Sequence, residues 1–266
     1  MKNMVSIRAA FGIVLVSILS AFLAAGLVIG LGLSNPDSPQ KFYTFISFII
    51  GQAFMLVPLV WFLIYRRQPV LKRLRLNFVS YEILYLTIIF SFGVIVISDE
   101  IDRLIQFLIP APDYILDLND LLQPESLGGF ILLFTAVVLI APLGEELLFR
   151  GFLQQFLEKH WKDITRAILV TALFFAMIHM NPYWFIQIYF LGILLGFLAW
   201  KTGSVLPPLI LHGMNNGGAM LFSFTNLEEH SFYVWGEHVS PFIIVLALIG
   251  LVYGFKGIND SKVTAV

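Results

Sequence analysis

Apolar runs separated by short polar stretches divide the chain, at about Ala9–Leu33, Phe42–Tyr65, Tyr81–Ile97, from Leu127 through a pair of acids, Arg166–Met180, Tyr183–Trp200, Ser204–Phe224 and Pro241–Phe255. About 20 apolar residues in a helix cross the hydrocarbon core of a bilayer. The pattern therefore predicts an all-α, polytopic integral membrane bundle of about eight transmembrane helices. The first run follows Lys2 and Arg8 and is too long for a signal-peptide core of roughly 7–15 residues, so it is expected to stay as a helix. Pro58 predicts a kink in the second run. The third is expected to open into an acidic loop holding Asp99, Glu100, Asp102, Asp113, Asp117 and Asp120, with an apolar patch at Leu104–Leu108 lying along the interface. The fourth should leave the membrane over Gln154–Lys162, the fifth stops at Asn181-Pro182, and the seventh has Pro207-Pro208 near its entry, where proline is tolerated.

Basic residues orient these runs. Arg66, Arg67, Lys72, Arg73 and Arg75 follow the second run, and Lys256 and Lys262 follow the last. With both termini in the cytoplasm, only Lys41 and Arg103 of the 16 Lys and Arg fall outside, the bias that the positive-inside rule demands. The expected organisation is helices 1–3 with the acidic loop over 1–126, a core of helices 4–7 over 127–224, and a loop, last helix and cytoplasmic tail over 225–266.

Composition agrees. The chain is 59% hydrophobic and 12% charged, against roughly 25% charged in a soluble domain, and its mean hydropathy is +0.88. The net charge of −1 gives no reason to expect a nucleic-acid partner; the lipid bilayer is the expected surroundings, and a bacterial plasma membrane the expected location. The absence of cysteine removes disulfides, thiolate metal sites and cysteine nucleophiles, leaving Ser, Thr, Asp, Glu and His for chemistry.

The fourth run carries Pro142-Leu143-Gly144-Glu145-Glu146-Leu147-Leu148-Phe149-Arg150. Charge in hydrocarbon costs several kcal/mol unless it faces a partner or a cavity, so an intramembrane acid pair marks a functional site. Glu146 and Arg150 are four apart, acid first, on one helix face. Glu145 lies about 100° away. One carboxylate is thus neutralised by its own arginine while the other is left for general-base work.

Of five histidines, His160, His230 and His238 fall in polar stretches, whereas His179 and His212 lie in apolar runs. Phe175 precedes His179 by four residues and Asn216 follows His212 by four, so each pair shares a helix face. At 1.5 Å per residue, Glu145 and His212 lie about 13 Å and His179 about 20 Å from the cytoplasmic edge. Three segments can therefore bring polar groups to one depth. Blander roles exist for each: His179, His212 and Asn216 as interhelical hydrogen bonders, Glu146–Arg150 as a structural ion pair, Phe175 as packing.

These residues resemble the CAAX-protease and bacteriocin-processing (Abi) membrane proteins, which include the endoprotease that trims prenylated CAAX proteins. The family's three motifs are Glu-Glu-x-x-x-Arg, Phe-x-x-x-His and His-x-x-x-Asn or Asp. Here they are Glu145-Glu146-Leu147-Leu148-Phe149-Arg150, Phe175 to His179 and His212 to Asn216, in order and on separate predicted helices. The resemblance covers about Leu127–Phe224 and implies an α-helical intramembrane endopeptidase acting on a membrane-associated peptide or protein of CAAX or leader-peptide type. In it Glu145 activates the attacking water, His179 helps hold that water or a metal, and His212 with Asn216 stabilise the oxyanion. Glu146, Arg150 and Phe175 support the site from behind. Glu145, His179 and His212 also match a His₂Glu zinc set, although zinc is not demanded by a spacing unlike His-Glu-x-x-His. A non-proteolytic immunity protein or membrane scaffold on the same fold, and a proton-coupled transporter, are the alternatives. The sequence leaves the substrate, the metal and the oligomeric state open.

Overall fold

In the computed structural model, residues 5–35, 37–224 and 232–261 are described, apart from the side chain of Asn119. Lys2, His230 and Lys262, which figured in the topology and histidine assignments, lie outside them. The first helix, α1 (Ile7–Leu33), starts where Ser6 accepts a hydrogen bond from the Ala9 amide at 3.2 Å, the usual side-chain cap. Its Leu15, Leu19, Leu23 and Leu27 are exposed, as expected of a lipid-facing surface. α2 (Gln40–Tyr65) carries Pro58 inside it. A short basic helix follows, α3 (Val70–Arg73).

α4 (Tyr81–Leu108) runs well past Ile97. The acidic stretch expected as a loop is helical as far as Leu108 and again over α5 (Asp113–Leu122). The reason is local: Arg103 pairs with Asp99 at 3.1 Å and Gln106 donates to Asp102 at 2.6 Å, both at the i,i+4 spacing that supports a helix through polar sequence.

α6 (Leu127–Trp161) is a single 35-residue helix, capped by Ser126, whose hydroxyl accepts from the Gly129 amide at 3.1 Å. It is not α-helical throughout. Thr135–Ile140 and Leu147–Gln154 are π-helical, flanking an α-helical Ala141–Glu146. Pro142 offers no N–H and crowds the turn before it. The wider turn absorbs this: the Ala141 amide reaches back five residues to the Ala136 carbonyl.

α7 (Ile164–Ile178) is capped by Asp163 and ends one residue before His179. Met180 turns to φ +46 and the Asn181 side chain accepts from the amides of Tyr183 and Trp184, so the histidine sits at the helix end rather than within it. α8 (Phe185–Thr202) packs on α7 through glycines; a Cβ on Gly192 would lie 3.0 Å from that of Ala172, and one on Gly196 2.9 Å from Ile168 Cγ2. Gly203, at φ +64, ends α8. α9 (Leu206–Phe224) follows, then a hairpin of β1 (Val234–Trp235) and β2 (His238–Val239), and α10 (Pro241–Asp260).

Each of the eight predicted runs is thus a helix. Among the described residues α1, α2, α4, α6, α8 and α10 are long and apolar enough to cross a membrane; α7 is apolar but has 15 residues. α9 falls outside that set, with His212, Asn215, Asn216, two prolines and three glycines in its sequence.

The chain divides into two compact units. Among the described residues, the first holds those up to Phe78 together with Pro124–Leu209, and the second holds Val79–Gln123 and those from Ile210 to Ser261. In the first, small residues let α1 and α2 approach closely, with Gly51 against Ala21 and Ala25. Gly144 of α6 rests on Gln52 of α2, and Gly151 on the backbone of Leu74. In the second, α4 and α10 are in backbone contact at Gly93, whose Cβ would lie 2.6 Å from the Ala247 carbonyl, and at Gly254, whose Cβ would lie 2.8 Å from Phe90 Cβ. The hairpin closes this unit over a core of Val96, Tyr233, Val234, Val239 and Ala247. It is tied to α4 by the Val239 amide donating to Glu100 at 2.7 Å and the Tyr233 hydroxyl donating to Asp99 at 2.9 Å. Burial, with the Asp99 carboxylate beside it, pushes the Tyr233 phenol above its ordinary pKa.

Candidate active site

The acid pair lies where α6 returns from its α-helical segment to its second π-helical one. Glu146 and Arg150 have side chains with no solvent exposure, and Nη1 of Arg150 lies 3.0 Å from the Glu146 carboxylate. The other terminal nitrogen and the face of the guanidinium are also engaged. Nη2 donates to the Gly192 carbonyl of α8 at 3.0 Å, and the group's central carbon lies 4.1 Å from the centre of the Phe175 ring of α7. One turn on, Gln154 repeats the pattern by donating to the Gly196 carbonyl at 2.8 Å. Buried charge is costly unless it is paired and hydrogen-bonded. The pair therefore locks α6, α7 and α8 together.

Glu145 is turned toward α2 and α7 instead. Nε2 of Gln52 donates to its carboxylate at 3.1 Å, and Nε2 of His179 lies 3.9 Å from its other oxygen. The histidine's tautomer follows from its second contact. Nδ1 is 2.7 Å from the Phe175 carbonyl, which can only accept, so Nδ1 carries the proton. In that tautomer the neutral ring would present the lone pair of Nε2 to Glu145. Two acceptors facing each other need a shared proton or a donor such as water between them. The Glu145 side chain is 10% exposed and that of His179 29%, so the imidazole is the more accessible of the two.

Phe175 serves both groups of residues. Its ring packs edge-on to Phe149 at 5.7 Å and lies 4.7 Å from the His179 ring, while its carbonyl orients that ring. The structure thus brings Glu145, Glu146, Arg150, Phe175 and His179 together in the first unit. His212, which is buried, and Asn216 lie one turn apart on the part of α9 that belongs to the second unit. There the helix approaches α4 at Gly218, whose Cβ would lie 2.9 Å from Ile95 Cγ2. Among the described residues no three His, Asp or Glu side chains form a metal-binding group. Glu145 and His179 give two donors where a catalytic zinc takes three protein ligands, so the first unit alone does not make a zinc site.

Sequence reasoning missed Gln52, Gln154 and the glycines that receive the buried donors. A glutamine inside the second apolar run was the signal for Gln52, and the Gly-x-x-x-Gly spacing of Gly192 and Gly196 was the signal for the close approach of α8.

No curated protein and no solved structure matches the chain. A family model does match, over residues 127–218, and is described as Type II CAAX prenyl endopeptidase Rce1-like. The match begins at the first residue of α6 and takes in Glu145 to Arg150, Phe175 to His179, and His212 to Asn216. Over that segment, which holds all three motifs, the chain is similar to the Rce1-like family.

Proposed function

We propose that the chain is an intramembrane endopeptidase that hydrolyses a peptide bond of a membrane-associated protein or peptide, of CAAX or leader-peptide type, with water activated by Glu145. The observation that supports this reading is the facing pair of Glu145 and His179 Nε2, 3.9 Å apart. A water donating one hydrogen to each would have its own lone pair turned outward for attack. As its oxygen bonds to the scissile carbonyl carbon, Glu145 takes a proton and the carbonyl oxygen becomes an oxyanion. Collapse of that intermediate breaks the C–N bond, and the proton held by Glu145 passes to the leaving amine. Gln52 positions the base through its hydrogen bond, and Phe175 fixes the tautomer of His179. We assign oxyanion stabilisation to His212 and Asn216 on their chemistry as donors and on the motif they form. Glu146 and Arg150 hold the helix that carries the base.

The test is cleavage of a quenched fluorescent peptide library by the purified chain in lipid, comparing wild type with Glu145→Gln. Loss of a positioned general base should slow cleavage about 10²- to 10⁴-fold. Equal rates would overturn the proposal. A chelator arm on wild type separates the water route from one in which Glu145, His179 and His212 together hold zinc.

A further inference from the structure

A second concentration of charge lies apart from this site, within the first unit, where the polar end of α6 meets the turn around α3. Arg73 donates from Nε and Nη2 to the carboxamide oxygen of Gln68, at 2.9 and 2.6 Å. Lys159 donates to the carboxamide oxygen of Gln155 at 2.8 Å, and Gln155 in turn donates to the Lys72 carbonyl at 3.1 Å. Among the described residues neither cation has a carboxylate within ion-pair distance. The acid at hand, Glu158, is engaged by Arg75 and by Gln154. Lys72, Arg73 and Arg75 are all close enough to Lys159 to repel it. Neutral carboxamides thus hold like charges together in fixed directions, an arrangement that an anion between them would relieve.

Arg73 and Lys159 line a cavity of about 150 Å³. Its lining includes the polar Gln68, Arg73 and Lys159 and the apolar Leu63, Phe152 and Phe156. Phe156 is held by stacking against Phe152 and His160. A free anion would satisfy the cations and leave the apolar lining uncovered. An amphiphile satisfies both. The depth agrees, since Trp161, with Arg166 4.4 Å over its ring, marks the end of α6 with the residue types that belong at a headgroup layer. Basic pockets between transmembrane helices take phospholipid headgroups for the same reason. We propose that this cavity binds one anionic phospholipid, with the phosphodiester between Arg73 and Lys159 and the start of an acyl chain over Leu63, Phe152 and Phe156. The site is separate from the acid pair: Lys159 follows Glu145 by 14 residues, roughly 20 Å along α6.

The experiment is native mass spectrometry of the whole chain released from detergent, titrated with phosphatidylglycerol, phosphatidylcholine or inorganic phosphate. Wild type should retain one phosphatidylglycerol in preference to phosphatidylcholine, and millimolar phosphate should not displace it. Arg73→Gln with Lys159→Gln should weaken retention about 30-fold, the product of two cation contributions near a headgroup. Arg73→Lys with Lys159→Arg should keep it, and so should Arg66→Gln with Arg67→Gln, which removes the same charge elsewhere. Equal retention of the two lipids by wild type, displacement by phosphate, or an equal loss in the Arg66/Arg67 variant would each overturn the proposal. The lipid comparison on wild type needs no variant to fold.

Discussion

Replacing Arg150 alone should be far more damaging than replacing it together with Glu146. Arg150→Met leaves the Glu146 carboxylate at zero side-chain exposure without the guanidinium 3.0 Å away. Breaking a buried pair from one side costs about 3–5 kcal/mol. The variant also loses the charged hydrogen bond to the Gly192 carbonyl and the contact with the Phe175 ring. That carbonyl still has its own helical partner, so its loss adds little. Glu146→Leu with Arg150→Met removes both charges and fills the space with side chains of similar bulk. An apolar replacement of a buried pair is often neutral or stabilising, so the double variant should recover most of the deficit, leaving about 1–2 kcal/mol for lost packing on Phe175. Reversible unfolding in mixed micelles, read by the four corners of a double-mutant cycle, gives the coupling directly. A coupling below about 1 kcal/mol, with additive single effects, would refute the view that this pair is held by mutual neutralisation.

Three further outcomes follow from contacts described above. Gln52→Leu removes the donor that steadies Glu145 and should lower kcat about tenfold with KM little changed, as for a group that acts through the base; an effect on KM alone would place Gln52 at the substrate instead. Gly93→Val pushes side-chain atoms against the Ala247 carbonyl of α10 and should cost about 1–3 kcal/mol, seen as a lower melting temperature in detergent, whereas unchanged melting would contradict the backbone contact. The raised Tyr233 pKa means the neutral phenol is favoured in the folded state: its contribution is complete below the ordinary value of about 10 and is lost as pH rises through the folded value. Melting temperatures should thus fall between pH 9 and 11 more steeply in wild type than in Tyr233→Phe, and parallel curves would remove this role.

The helical runs were legible because hydropathy reports membrane helices segment by segment, and the Glu146–Arg150 pair because i,i+4 spacing needs no tertiary information. What the sequence left open is where the helix axis departs from regular geometry or where two distant segments meet. The extension of α4 through Asp99 to Leu108 depends on side-chain pairs that hydropathy counts only as polarity. The end of α7 before His179 depends on the side chain of Asn181 and the positive φ of Met180. Gln52 is 93 positions from Glu145, a pairing that no periodicity announces. The carbonyls of Gly192 and Gly196 become acceptors for Arg150 and Gln154 only because α8 comes close enough to present backbone instead of side chains.

The π-helical segments of α6 have a consequence for anyone altering the chain's length. A π turn holds one residue more than an α turn would over the same stretch, so each segment works as an insertion accommodated inside a helix. Deleting a single residue from Leu147–Gln154 would let that stretch revert to α-helical winding and leave the residues after it on the faces they already present. A one-residue gap here therefore does not mark a loop, and no single helical wheel drawn over all 35 residues assigns their faces correctly.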